Sequence, residues 1–331
     1  MTLNVGQLVL KNKALLAPMA GITDLPFRRL ALRFGAGLAT SEMVASGELM
    51  TGRVSTLAKA EVDPVAGVPA VQLAGREAAP MAEAARCAVG AGAALIDINM
   101  GCPAKKVTNG WSGSALMQDP DHALRLIEAV VEAVDAPVTL KMRLGWDETS
   151  LNAPDIAARA EGAGVAMVAV HGRTRQQFYK GHANWQAVAA VKEAISVPLV
   201  VNGDITDAAS ARDALSQSGA DGVMIGRGAQ GAPWIIGQIG DALAGRTPIP
   251  APHGTALSDL IVEHYEAMLS FYGVDLGVRI ARKHLGWYLL RLPSGAPLRA
   301  QLMRMGDPAD VIAALQTCLT EAEVMPTQDA A

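Results

Sequence analysis

Eight short apolar, β-branched runs, each closing on glycine or a polar cluster, recur through the first two-thirds of the chain and limit its possible folds more than any other feature. They are Ala14–Met19, Leu38–Met43, Pro69–Gly75, Leu95–Gly101, Pro137–Arg143, Met167–Arg173, Pro198–Asp204 and Gly222–Gly228, with starts 24 to 42 residues apart. Each interval has room for one helix and two loops. Helix start signals stand where that reading needs them: Thr23-Asp24 before Leu25, Asp119-Pro120 before Asp121, and Thr206-Asp207 before Ala208. Near-continuous apolar strands alternating with helices imply a parallel sheet covered by helices. Eight such units in a row predict a (β/α)8 TIM barrel; a doubly wound open sheet is the alternative. Glycine is frequent (33) and aromatics make up 4% of the chain, so Ala, Val, Leu, Ile and Met must fill the core.

Beyond the last unit, Gly245–Pro252 carries three prolines in eight residues, a stiff and extended connector. Leu257–Tyr272, Gly277–Leu292, Ala296–Arg304 and Pro308–Ala322 then read as helices with no strand among them. The expected organisation is a barrel over residues 1–244, a linker over 245–256 and a small all-helical C-terminal domain over 257–331.

Barrel enzymes carry their chemistry at the C-terminal ends of the strands. Those ends read Pro18-Met19-Ala20-Gly21, Ser41-Glu42-Met43, Gln72, Asp97-Ile98-Asn99-Met100-Gly101-Cys102-Pro103, Lys141-Met142-Arg143, His171-Gly172-Arg173-Thr174-Arg175, Asn202-Gly203-Asp204 and Gly226-Arg227-Gly228. Seven apolar strands that all end in polar groups collect them at one rim, where burial without partners would be unfavourable. Asn202-Gly203-Asp204 and Gly226-Arg227-Gly228 follow strands seven and eight. There, free backbone N–H groups beside a cation form the common phosphate site of such barrels. Tight turns are the alternative for those glycines.

Lys141 points from strand five toward the mouth, and a buried lysine needs a partner anion: a reduced flavin ring, or else Asp97 or Glu42. Gln72 offers a donor and an acceptor to a pyrimidine-like ring edge, or equally to strand-end backbone. Cys102 opens a long loop, Pro103 to Gln118, that carries Lys105-Lys106, Asn109-Gly110 and Trp111 and has the length of a mobile lid. A thiol, mainly protonated at neutral pH, can serve as an acid; an inert buried cysteine is the alternative.

No apolar run approaches the ~18 residues needed to span a bilayer. Met1 to Leu10 shows no secretory signal, and Cys87, Cys102 and Cys318 have no spacing for zinc or a disulfide framework. A reducing cytoplasm, no metal and no membrane are therefore expected. The net charge of −4 by itself argues against a nucleic-acid partner.

Ala17-Pro18-Met19-Ala20-Gly21-Ile22-Thr23-Asp24, Asn99-Met100-Gly101-Cys102-Pro103, Lys141-Met142-Arg143, His171-Gly172-Arg173-Thr174, Asn202-Gly203-Asp204-Ile205 and Gly226-Arg227-Gly228-Ala229 resemble the tRNA-dihydrouridine synthases, from about residue 5 to residue 325. Arg282-Lys283-His284-Leu285-Gly286-Trp287-Tyr288 is similar to the bacterial B-type subgroup. The resemblance implies FMN, reduced by NADPH, and saturation of the C5–C6 bond of a uridine in the tRNA D-loop. Hydride would pass from flavin N5 to C6, and Cys102 would protonate C5. Pro18, Met19 and Ala20 would lie along the flavin and Gln72 at its pyrimidine edge. Lys141 would meet N1 or O2, and His171 the flavin or the base. Asn202, Gly203, Asp204, Gly226 and Arg227 complete the cofactor set, the last four of these holding the phosphate. Asn99 would bind the uracil edge, with Lys105, Arg143 and Arg173 also on the substrate.

The charge objection weakens in the tail. From Leu276 to Gly306 there are six Lys or Arg and no Asp or Glu, with Arg279, Arg282 and Lys283 placed to meet RNA phosphates. An ordinary solvated helix face is the alternative. Two rival functions remain open in the sequence: an FMN-dependent dehydrogenase of a free pyrimidine, and a non-catalytic tRNA-binding barrel.

Overall fold

A computed structural model describes residues 2–293 and 295–319. Its eight parallel strands are β1 (Ala14–Leu16), β2 (Thr40–Ala45), β3 (Ala70–Ala74), β4 (Leu95–Met100), β5 (Val138–Arg143), β6 (Met167–His171), β7 (Leu199–Asn202) and β8 (Gly222–Ile225). Strands adjacent in the chain from β2 to β8 are adjacent in the sheet, and β8 returns to β1 in the register Val223↔Ala14. The bridge Leu16↔Ala39 joins β1 to the segment just ahead of β2 and closes the barrel. The fold is a TIM barrel with a helical C-terminal region, not an open sheet.

Helices start where a side chain can accept from the orphan N–H groups of the first turn. Asp24 accepts from the N–H of Phe27 ahead of α1 (Leu25–Arg33), and Asp119 accepts from that of His122 ahead of Pro120–Val131. Asp207 and Ser210 form a reciprocal box at the start of Ala208–Ser218, which ends on left-handed Gly219 (φ 65°). Strands β7 and β8 stop two or three residues short of the apolar runs. Gly203 (φ 117°) and Asp204 (φ 53°) are left-handed, so the backbone there leaves the ladder.

Side chains on a strand alternate faces, so register fixes which ones share a layer inside the barrel. Gln72, Asp97 and Thr139 are aligned across β3, β4 and β5, and one layer up Asn99 is aligned with Lys141. Arg143, His171 and Asn202 form the next layer, nearest the mouth. The opposite end of the interior is apolar, with Leu15, Leu38, Ala70, Leu95, Met167, Val200 and Met224 in one cluster. A hairpin, Leu3–Val5 with Leu8–Leu10, contributes Leu3, Val5 and Leu10 to this floor, an element the sequence reading does not anticipate. Polar layers above an apolar floor put the chemistry at one end only.

The C-terminal helices are α2 (Gly254–Tyr272), α3 (Val274–Leu290), α4 (Gly295–Leu302) and α5 (Pro308–Leu319). The predicted end of the last, up to Ala322, lies outside the described residues, as does the remainder of the expected domain to 331. The chain divides into two compact units: Met1–Gly228 with Ile236–Pro248, and Ala229–Ile235 with the described residues from Ile249 onward. The expected division at 244 is therefore displaced. Residues Ala229–Ile235 join the second unit because Gln230 O accepts from Arg291 Nε at 3.0 Å and Trp234 stacks on Tyr288. A Cβ on Gly231 would stand 2.4 Å from Trp287 O, so only glycine permits that approach. The first helix of the tail starts at Gly254, inside the expected linker.

Candidate active site

Asn99 organises the end of β4. Its Oδ1 accepts the backbone N–H of Gly101 (3.2 Å) and of Cys102 (3.0 Å), which turns the chain and seats the half-buried thiol at the rim. Cys102 O in turn accepts from Ser114 N and Ser114 Oγ (2.8 Å). A Cβ on Gly113 (φ 60°) would fall 2.9 Å from that carbonyl oxygen. The expected mobile lid is thus folded. It contains the helical turn Lys105–Thr108 and the 3-10 turn Gly113–Gln118, with Gly113–Met117 buried. Lys105, Lys106 and Trp111 stay exposed, and Trp111 is left-handed (φ 53°), a conformation uncommon for a large side chain and found preferentially at functional sites.

Gln72 is 1% exposed and bridges its neighbours: Nε2 donates to Asp97 Oδ2 at 2.6 Å, and Oε1 accepts from Asn99 Nδ2 at 2.8 Å. The structure places its amide inside this chain of bonds, not at an open ring edge. Asp97 completes the chain, accepting from Thr139 Oγ1 at 2.6 Å. Burial raises the Asp97 carboxyl to about 6, against hydrogen bonds from Thr139 and Gln72 and the charge of Lys141.

Lys141 is 9% exposed and donates to Asn202 Oδ1 at 3.2 Å; Asn202 Nδ2 donates to Met224 O, which fixes the direction of that amide. Lys141 forms no ion pair among the described residues, so neither Asp97 nor Glu42 is its salt-bridge partner. Glu42 instead accepts the N–H of Gly21, beyond the half-buried Pro18 and Met19 and the exposed Ala20. Burial and the neighbouring Arg143 charge lower the Lys141 ammonium to about 8, while Asp97 and Cys102 act to raise it.

Two arginines expected on the substrate are braces. Arg173 donates to Lys180 O, to Gly181 O and to Asp204 Oδ2 (2.5 Å), and its Nη1 lies 3.2 Å from His171 Nε2. At 1% exposure, with each of its three nitrogens engaged inside the protein, it does not face solvent. Arg143, also 1% exposed, donates to Gly101 O, Thr174 O and Phe178 O and ties β5 to the loop after β6. Sequence cannot separate an arginine facing carbonyls from one facing solvent.

The same contacts define His171. A guanidinium only donates, so Nε2 accepts and the ring proton sits on Nδ1. Burial first, then the charges of Arg143, Lys141, Arg173 and Arg227, push its pKa well below the ordinary value, so the ring is neutral at pH 7. Gly203 is required beside it, since a Cβ there would meet His171 Cδ2 and Ala183 Cβ at 2.8 Å.

Asp204 cannot offer its side chain to a phosphate. The carboxylate accepts from Arg173, from Ala183 N (2.7 Å) and from Arg227 Nη2 (3.3 Å), and it orients the two guanidinia. Burial would raise its pKa, but those hydrogen bonds and charges hold it below the usual value. Arg227 keeps 58% of its side chain exposed and lies 5.3 Å from the ring centroid of Tyr179, which sequence reasoning overlooked. An anion near Gly203 and Gly226 would meet Arg227 and backbone N–H groups. A buried lysine without an ion pair, a neutral histidine and a glycine-lined anion cradle suit a planar ring bearing a phosphate arm. Among the described residues no group of His, Cys, Asp or Glu could hold a metal, and no helix is long and apolar enough to cross a membrane.

In the second unit the basic run of the sequence divides. Arg282 Nη2 donates to Met305 O and Arg291 to Gln230 O, so both brace the fold. Arg279, Arg299 and Arg304 are exposed and Lys283 half-buried.

Comparison with known proteins agrees along most of the chain. A family model described as Dihydrouridine synthase (Dus) matches residues 15–323. A probable tRNA-dihydrouridine synthase of Rhodobacter capsulatus is 65% identical over 98% of this chain and 99% of its own length. tRNA-dihydrouridine synthase B of Xanthomonas campestris is 49% identical over 92% of each chain. The structure of histamine dehydrogenase from Rhizobium sp. 4-9 superposes with a TM-score of 0.55 at 12% identity, covering 96% of this chain and 64% of that one, a likeness of fold alone.

Proposed function

From the premise that the chain belongs to the dihydrouridine synthase family, we propose that it reduces the C5–C6 double bond of a uridine in the D-loop of tRNA, with FMN as resident cofactor, NADPH as reductant and the cytoplasm as its compartment. The observation that carries this reading is the register Asn99↔Lys141, with Cys102 anchored three residues beyond Asn99, at the polar end of the barrel.

Lys141, Asn202 and His171 would hold the ring of FMN, Pro18, Met19 and Ala20 would lie along it, and Gly203, Gly226, Arg227 and the backbone of Asp204 would take the phosphate. The cofactor supplies the hydride that enters at C6. Asn99 binds the uracil edge, and the thiol of Cys102 gives its proton to C5 as negative charge builds on the ring. Solvent then returns the proton. The uridine must leave its stack to reach these groups, because neither ring face nor C5 is accessible within folded RNA.

The test is direct. Purified protein with FMN and NADPH should form dihydrouridine in unmodified tRNA, and cells lacking the chain should lose the mark at one or more D-loop positions and regain it on complementation. Turnover of free uracil with none on tRNA would favour a dehydrogenase of free pyrimidines instead.

A further inference from the structure

Asp97 lies a layer beneath the reacting groups, 5% exposed, and touches neither Cys102 nor the rim. Its ionised carboxylate can only accept hydrogen bonds. Gln72 must therefore present its NH2 to Asp97 (2.6 Å), which leaves Oε1 for Asn99. Asn99 must then present its own NH2 to Gln72 (2.8 Å), and its Oδ1 is left for the N–H groups of Gly101 and Cys102 (3.2 and 3.0 Å). The direction of the two amides is held from both ends: by the Asp97 charge at one, and at the other by the N–H groups of Gly101 and Cys102, which can only donate. Thr139 Oγ1, donating at 2.6 Å, holds the other carboxylate oxygen and keeps that charge in place.

We propose that Asp97 is a positioning residue: it anchors the buried end of the Gln72–Asn99 amide chain, whose other end is held by the N–H groups of Gly101 and Cys102, and so steadies both the seat of Cys102 and the donor that Asn99 presents at the mouth. One N–H of Asn99 Nδ2 is used by Gln72, and its second hydrogen is left to meet a carbonyl oxygen of the base. With the amide reversed, Asn99 would offer an acceptor there and two N–H groups of Gly101 and Cys102 would face an NH2, losing their partner. The second part of this inference rests on the proposed function; the first does not.

The experiment moves the charge instead of deleting it. Asp97→Asn keeps the shape but lets the side chain donate or accept, so the amide direction is enforced from the Gly101–Cys102 end alone. Adding Gln72→Glu restores an acceptor-only group beside Asn99: Glu at 72 accepts from Asn at 97 and from Asn99 Nδ2, so Asn99 is again held in its original direction from both ends. Two rates are measured on the holoproteins after their melting curves show that they fold. One is dihydrouridine formation on tRNA, expected to fall 10- to 100-fold in D97N and to recover at least tenfold of a hundredfold loss in D97N/Q72E. The other is alkylation of Cys102 by iodoacetamide, followed on its own peptide by mass spectrometry and needing no tRNA. It should rise at least threefold in D97N and return toward the parental rate in the double variant. An unchanged Cys102 alkylation rate in D97N, or equal impairment of the two variants, would overturn the proposal, because simple loss of fit predicts no rescue. If the parental protein reduces no tRNA, the function is wrong and the alkylation arm still decides whether Asp97 positions Cys102.

Discussion

Asp97 and Lys141 are charged together only in a window around neutrality. Burial raises the Asp97 carboxyl to about 6, and burial with the Arg143 charge lowers the Lys141 ammonium to about 8. The sign for stability follows from linkage. The Asp97 value lies above its unfolded value, so its contribution is present below 3.8 and lost as pH rises through 6; that of Lys141 is present above 10.5 and lost as pH falls through 8. Both charges therefore oppose folding near neutrality. The rate of tRNA reduction should rise through pH 6 and fall beyond 8, and residual activity of D97N should lack the acid limb; a parental profile flat from 5.5 to 9 would remove both groups from the mechanism. At Cys102 the expectation is sharper. Cys102→Ala should still oxidise NADPH yet lose about 100- to 10,000-fold in tRNA reduction, as general acids contribute. Near-parental turnover would make the thiol a bystander. Single residues were the least legible level of this chain. Cys102, Asn99 and Lys141 stand at the rim as their strand-end positions imply, but Arg143, Arg173, Arg282 and the side chain of Asp204 serve the protein itself. Which acceptor a guanidinium meets is decided by loops far away in sequence, such as Thr174 and Phe178 for Arg143.

At the scale of elements, pattern was a better guide, because strand and helix periodicities are local. The eight apolar runs became β1 to β8, and the Asp24, Asp119 and Asp207 start signals became caps. What pattern could not convey was where a strand leaves the sheet. At the end of β7 the exit is made by Gly203, whose φ of 117° and tight contact with His171 belong to tertiary packing. Gly203→Ala should therefore act through the element. Strain at such a position costs about 1–3 kcal/mol, and His171 and the 182–184 turn would be displaced. The measurable outcome is a lower melting temperature together with weaker FMN retention. Loss of stability with parental FMN affinity would show that the glycine serves the turn alone. The 103–118 segment shows the opposite limit. Its length suggested a lid, yet Ser114 and Gly113 close it on Cys102 O, a contact no periodicity encodes.

For the whole molecule, net charge and its distribution argue in opposite directions about a nucleic-acid partner. The chain carries −4 overall, yet residues 276–306 hold six basic side chains and no acidic one. The structure separates those that brace the fold from those that face solvent. Arg282 and Arg291 hold carbonyls of their own unit and are half-buried, whereas Arg279 stays exposed although its Nε donates to Asp275 O one turn back, and Lys283, four residues on along α3, shares its face. If these two neutralise phosphates, each contributes about 0.7–0.9 to the slope of log affinity against log salt. Arg279→Ala with Lys283→Ala should then weaken tRNA binding at low salt and flatten the slope by about 1.4–1.8. NADPH oxidation with an artificial acceptor should persist, because both substitutions lie in the second unit and the rim residues in the first. Arg282→Ala predicts a different signature: lower thermal stability from the broken bond to Met305 O, with the salt slope unchanged. A salt slope that responds to Arg282 and ignores Arg279 and Lys283 would place the RNA on another face of the tail.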